Sequence, residues 1–244
     1  MNSSDAVFPK IVFSRLRAEH PALSEAIDTC ERNLGMAEAF PEHWRAEFLT
    51  PTPARYNLKE RCAVMATAWL DRASILGDGL AHELEASRLF SAAAIARSML
   101  ELVGLCVVGP PELVDLVEGS PTDVEPIHLL TIKLLLATRS IDRPSQPAVY
   151  RIDRLINAAK ERFGDHFGED YGFLSDLSHP NASGIWGARS ADDDLFFERP
   201  SVNEGQAELM LKVLHAGLHS VARDCLTLIE WSVDHDVELP APLG

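Results

Sequence analysis

The chain has 244 residues, 46% of them hydrophobic, which is enough for a sizeable core but short for two independent domains. Its formal net charge of −15 disfavours non-specific attachment to DNA or to anionic lipid, and no stretch reaches the roughly 18 uninterrupted apolar residues of a membrane span. The opening "MNSSDAVFPKIVFSRLR" lacks the basic-then-apolar order of a secretory signal, and Cys30, Cys62, Cys106 and Cys225 are scattered without a C-x-x-C pair, so a cytoplasmic protein with reduced thiols is expected.

Helical spacing dominates the chain. Pro21 opens "PALSEAIDTCERNLGMAEAF", which turns Leu23, Ile27, Leu34 and Phe40 inward. The stretch "LKERCAVMATAWLDRASIL" forms the next helix, with Gly77 and Gly79 as its stop. A long helix through "LAHELEASRLFSAAAIARSMLELVGLCVV" is expected to halt at Gly109, Pro110 and Pro111. "VEPIHLLTIKLLLATRSI" is a strongly apolar helix, and "AVYRIDRLINAAKERFG" an amphipathic one with Val149, Ile152, Leu155, Ile156 and Ala159 toward the core. The helix around "YGFLSDLSHPN" comes next. Two short runs in "GIWGARSADDDLFFE" read as a β-hairpin near residues 184–198, with Asp192, Asp193 and Asp194 serving its turn. A final helix covers about 202–236, and the acidic, proline-containing tail at 237–244 is expected to fray. The fold class expected is all-α: a single domain over 1–244, built as a bundle of about seven helices with one hairpin insertion.

Two sets of polar residues break this pattern. Arg97 and Glu101 lie one turn apart on a helix that is otherwise apolar on almost every side. A buried pair there needs further hydrogen bonds, and it serves either as structure or as a seat for an anion. Tyr171, Ser175 and His179 recur every four residues along one side of a later helix, with Ser178 beside them. Pro180 ends that helix at His179, where the negative end of the helix dipole favours the protonated imidazole. His179 then either caps the last carbonyls, with Asn181 turning the chain, or acts as a general acid or phosphate contact. Arg97, Glu101, Tyr171, Ser175 and His179 are expected to meet as one polar network, with the Tyr171 and Ser175 hydroxyls bridging toward His179. As a brace it fixes helix register; as a site it suits a phosphate or carboxylate ligand.

Weaker signals lie elsewhere. Between Arg139 and Arg162 six basic residues face three acids, and Arg151, Arg154, Lys160 and Arg162 form a candidate stripe for RNA or another phosphate. His215 and His219 have the i, i+4 spacing of two metal ligands but no H-E-x-x-H, and Glu125 with His128 is a single Glu-x-x-His, where a di-iron bundle requires two such pairs and two further glutamates. With no nucleophile elbow, P-loop or dinucleotide-binding glycine run, no cofactor is expected.

An Arg and Glu four apart in an apolar helix, followed later by Tyr-x-x-x-Ser-x-x-x-His-Pro, resembles a bacterial domain-of-unknown-function family, numbered 5677. The matching positions are Arg97, Glu101, Tyr171, Ser175, His179, Pro180 and Gly184, and the resemblance spans about 60–235. It implies a helical fold and supplies no activity. A fainter similarity is to HEPN domains, helical bundles that include toxin-type ribonucleases and carry an arginine followed, after four to six residues, by a histidine. Gly172, Phe173 and Leu174 occupy those arginine positions here, so a ribonuclease reading would have to borrow Arg97 beside His179. Three functions are therefore carried forward: an accessory or regulatory binding protein, in a defence or toxin–antitoxin setting, with a small anionic ligand; a metal-independent ribonuclease; and a bundle that forms homo-oligomers through its long final helix.

Overall fold

The computed structural model describes residues 13–48, 57–120, 122–136, 150–178, 201–235 and 237–239, with the backbone alone at 38–48 and at 136. Among these residues there are eight α-helices and one 3-10 turn: α1 Ser14–Glu19, the turn Pro21–Leu23, α2 Ser24–Phe48, α3 Leu58–Glu85, α4 Leu89–Gly119, α5 Val124–Leu136, α6 Ile152–Phe163, α7 Asp165–Ser178 and α8 Glu204–Val233. The fold is all-α. The hairpin expected at 184–198 lies outside the described residues, as do Phe40's side chain and Val149.

Helices α3, α4 and α8 pack on one another most extensively and form the centre; α2 lies against α3 and α8, α5 against α3 and α4, and the α6–α7 pair against α4. The long final helix, expected to offer a partner surface, is therefore a core element, with Met210, Leu214, Val221 and Cys225 fully buried. Leu23 of the 3-10 turn, Ile27 and Leu34 of α2, and Leu155, Ile156 and Ala159 of α6 are buried as their periodicity requires. By length and composition α4 could cross a membrane, with mean hydropathy 1.7 over its most apolar window, but 67% of that window is covered by the bundle. Its apolarity is that of a central helix.

Three local expectations are corrected. Gly77 and Gly79 do not stop α3, which continues to Glu85. At Gly77 a Cβ would come within 2.9 Å of Leu34 and 3.2 Å of Leu214, so the missing side chain admits two neighbouring helices. The real break is at Ser87, whose φ of +52° reverses the chain while its N–H donates to Leu84 O and Arg88 N–H to Glu83 O. Nor do Pro110 and Pro111 end α4, which runs through both. Leu113 and Val117 beyond them are buried, and Gly109 lets Leu134 of α5 close in where a Cβ would sit 2.4 Å from its Cδ2, so packing holds the helix past its prolines. The tail is not frayed at 237–239: Leu58 N–H, an unmatched donor in the first turn of α3, donates to Val237 O at 2.8 Å, and Leu239 is buried.

Two devices set α6 and α7 on α4. Gly104 brings α4 against α6 so closely that a Cβ would lie 2.9 Å from Leu155 Cβ and 3.0 Å from its carbonyl oxygen. Gly164 (φ +99°) then turns the chain between α6 and α7, in a backbone region that favours glycine. Gly104→Ala is expected to destabilise the protein by about 2 kcal/mol, because backbone cannot yield as a side-chain tip can. Gly35→Ala, on a face of α2 where a Cβ meets nothing within 4 Å, should stabilise it by about 0.5–1 kcal/mol. Urea unfolding of both variants checks the pair; equal effects would refute the close-approach account.

Candidate functional site

The α4–α7 contact brings together four of the polar residues. Arg97 Nε donates to Glu101 Oε1 at 3.0 Å within α4. From α7, the Tyr171 hydroxyl donates to the same carboxylate oxygen at 3.0 Å, and Ser178 Oγ accepts from Arg97 Nη1 at 3.4 Å. The Arg97 guanidinium also lies 5.7 Å from the centre of the Tyr171 ring. The cluster is half-buried, with the Arg97 and Glu101 side chains 26% and 25% exposed.

Ser175 takes part differently from expectation: its carbonyl accepts the Ser178 hydroxyl at 3.1 Å, and Ser178, one turn nearer the helix end, meets Arg97. The Tyr171 hydroxyl points to Glu101 because that carboxylate is the acceptor within reach across the interface. His179 lies outside the described residues.

The electrostatics follow from this geometry. Burial would lower the Arg97 pKa, but its bonds to Glu101 and its interaction with Tyr171 outweigh that and raise it, so the cation is secure. The Tyr171 hydroxyl is pushed up by burial and then by the Glu101 charge, so at neutral pH it is a donor and not a phenolate. Chemically, the cluster holds a fixed cation and a protonated phenol around one carboxylate. It can ligate or brace; it contains no activated nucleophile.

The basic stripe is answered by acids along its length. Arg151 pairs with Asp153 at 2.9 Å, Arg154 with Glu112, Lys160 with Asp165 at 3.5 Å, and Arg162 with Asp224 at 2.7 Å. Arg139 and Arg143 lie outside the described residues. His215 and His219 stack with ring centroids 6.4 Å apart, and His215 Nδ1 is held by the Asn33 amide. Glu125 and His128 do not share a ligand site, since His128 turns into the core. Among the described residues, no three His, Cys, Asp or Glu side chains gather where a metal ion could sit. All four cysteines are buried and free; burial pushes the Cys30 and Cys62 thiols up to about 12, which keeps them unreactive.

Two buried polar clusters escaped the sequence reading. Arg61 of α3 donates to His128 Nδ1 at 2.8 Å and to Thr131 Oγ1 at 2.9 Å on α5, and Thr131 Oγ1 donates to His128 O. Arg162 of α6 grips Asp224 of α8 through two parallel bonds of 2.9 and 2.7 Å. A signal was present for each. Arg61 sits in the apolar series Leu58, Arg61, Cys62, Met65, and Asp224 in Val221, Asp224, Cys225, Leu228, so both occupy core positions of their helices.

Asp224 is nearly enclosed, at 8% exposure, whereas the Tyr171 bond is half-exposed. Asp224→Asn should therefore cost about 3 kcal/mol by leaving Arg162 without its counter-charge, and Tyr171→Phe about 1 kcal/mol. Chemical denaturation compares them, and the reverse order would overturn the ranking. His128 supplies a pH test. Its pKa is lowered, first by burial and then by Arg61, so it stays neutral in the fold. Its stabilising contribution is complete above the unfolded value of about 6.5 and is lost as pH falls through that value toward the lower folded one. The stability advantage of the native chain over His128→Gln should thus shrink between about pH 7.5 and about pH 5.5; a constant difference in urea midpoint would remove His128 from the acid response.

No protein-family model, curated protein or solved structure matches the chain.

Proposed function

We propose that the chain is a cytosolic accessory or regulatory protein that works by binding, with the α4–α7 edge around Arg97 as its anion-facing site. The observation that carries this reading is the engagement of charge: the cations that RNA cleavage would recruit are each held by a carboxylate. Arg97 is on Glu101, Arg154 on Glu112 and Arg162 on Asp224. A phosphate backbone would have to displace those acids while approaching a chain of net charge −15. Arg97 combines a fixed geometry with an open quarter of its surface at an edge shared with the Tyr171 and Ser178 hydroxyls, which suits one carboxylate or phosphate group of a partner.

Two assays separate binding from catalysis. Incubation of the purified chain with tRNA and a structured RNA, with and without chelator, is expected to leave both intact. A phosphate titration at constant ionic strength, followed by the Arg97 Nε–H signal in NMR, is expected to saturate in the native chain. Chelator-resistant cleavage that disappears in a folded Arg97→Ala variant would replace this proposal with the ribonuclease reading. An Arg97 signal indifferent to phosphate would reduce the cluster to a brace.

A further inference from the structure

A cleft of about 500 Å³ opens between α4 and α8, within the size range of small-molecule sites. Two cross-contacts fix how the helices run along it. The Cys106 thiol of α4 meets the Cys225 thiol of α8 at one end, and at the other Trp231 Nε1 of α8 donates to Glu118 Oε1 of α4 at 3.4 Å. The two helices therefore point the same way. The cleft is a groove about 12 Å long, the rise of α8 from Arg223 to Trp231.

Its middle is apolar and its two ends differ in charge. Pro110, Pro111 and Val114 of α4 line the middle with Leu228 of α8, and the Thr227 hydroxyl is engaged within its own helix, donating to Arg223 O at 3.0 Å. At the Cys106 end two guanidiniums stand around one carboxylate. Arg162 holds Asp224 through bonds of 2.9 and 2.7 Å, and Arg223 reaches the same Oδ1 only through Nε, at 3.8 Å. Cations outnumber acid there by two to one. The Arg223 side chain is 59% exposed, so its two terminal nitrogens are available to a second carboxylate. At the Trp231 end the charged side chains are acids: Asp115, which lines the cleft, and Glu118.

We infer that this cleft binds a linear monocarboxylate with an apolar tail, the chemistry of a medium-chain fatty acid. Its carboxylate docks on the terminal nitrogens of Arg223, and its tail runs past Leu228 and the two prolines toward the Trp231 indole. The charge pattern selects this class. An amine head would meet the guanidiniums, and a second carboxylate on the tail would arrive beside Asp115. A sugar would set its hydroxyls against the apolar middle. The inference stands apart from the role of Arg97, which is not among the residues lining this cleft.

Isothermal titration calorimetry on the full chain tests it with hexanoate, octanoate and decanoate. One saturable site is expected, with affinity rising about threefold for each methylene as the tail extends toward Trp231. Octylamine, with the opposite head charge, should bind about tenfold more weakly than octanoate, and decanedioate about tenfold more weakly than decanoate. Arg223→Gln, at an exposed position and checked for folding by circular dichroism, should weaken decanoate about tenfold. The Trp231 indole N–H signal, assigned in NMR with Trp231→Phe, should shift on saturation with decanoate. Failure of decanoate to bind, an unmoved Trp231 signal, or native affinity in folded Arg223→Gln would each overturn the inference. So would equal affinity for a monocarboxylate and its amine or dicarboxylate counterpart, a comparison made in the native chain that decides the matter even where Arg223→Gln fails to fold.

Discussion

Helix α4 is apolar on nearly every side, so water must be kept from every side of it, and the remaining architecture answers that demand. Helices α3 and α8 cover much of it, α5 closes on Gly109, and the α6–α7 pair seals the flank at Gly104. Glycines stand where backbones must come closest. A central helix of this kind tolerates its two prolines because lateral packing, more than its own hydrogen-bond ladder, keeps it in place.

The same demand decides where charge can sit. Arg97 and Glu101 stand at the edge of the covered surface, where each is only partly desolvated and the pair can be completed by hydroxyls from α7. Asp224 and Arg61 stand deeper, and each is bound by more than one bond, since an ion left unmatched there would be costly. The acids that answer the α6 cations come from α4, α7 and α8, so a stripe that is basic in sequence is close to neutral in space.

What the sequence disclosed was whatever depends on neighbours within one helix. The helical period, the inward faces of α2 and α6, and the Arg97–Glu101 spacing all belong to that class. Ser87 did not announce itself, because serine has no particular preference for a left-handed turn, while Gly77 and Gly79 imitated a cap that tertiary contacts with Leu34 and Ile95 render unnecessary. The identity of the hydroxyl that meets Arg97 also hinged on how α7 lies across α4, which no spacing rule contains; Ser178 and Ser175 are both plausible from sequence, and only one reaches. Asp224 and Arg61 were legible in principle as charges in core positions.

The docking of Val237 and Leu239 on the start of α3 gives the assembly a particular order in time. The broadest helix–helix interface joins α3 to α8, and the first turn of α3 donates a hydrogen bond to a carbonyl that is synthesised long afterwards. Helical bundles usually fold fast because their contacts are local in sequence, yet this one cannot close its centre until α8 has left the ribosome. During that interval the faces of α3 and α4 that meet α8 have no cover. A chain cut before α8 would lack the helix against which both α3 and α4 pack, so the centre of the bundle would be missing.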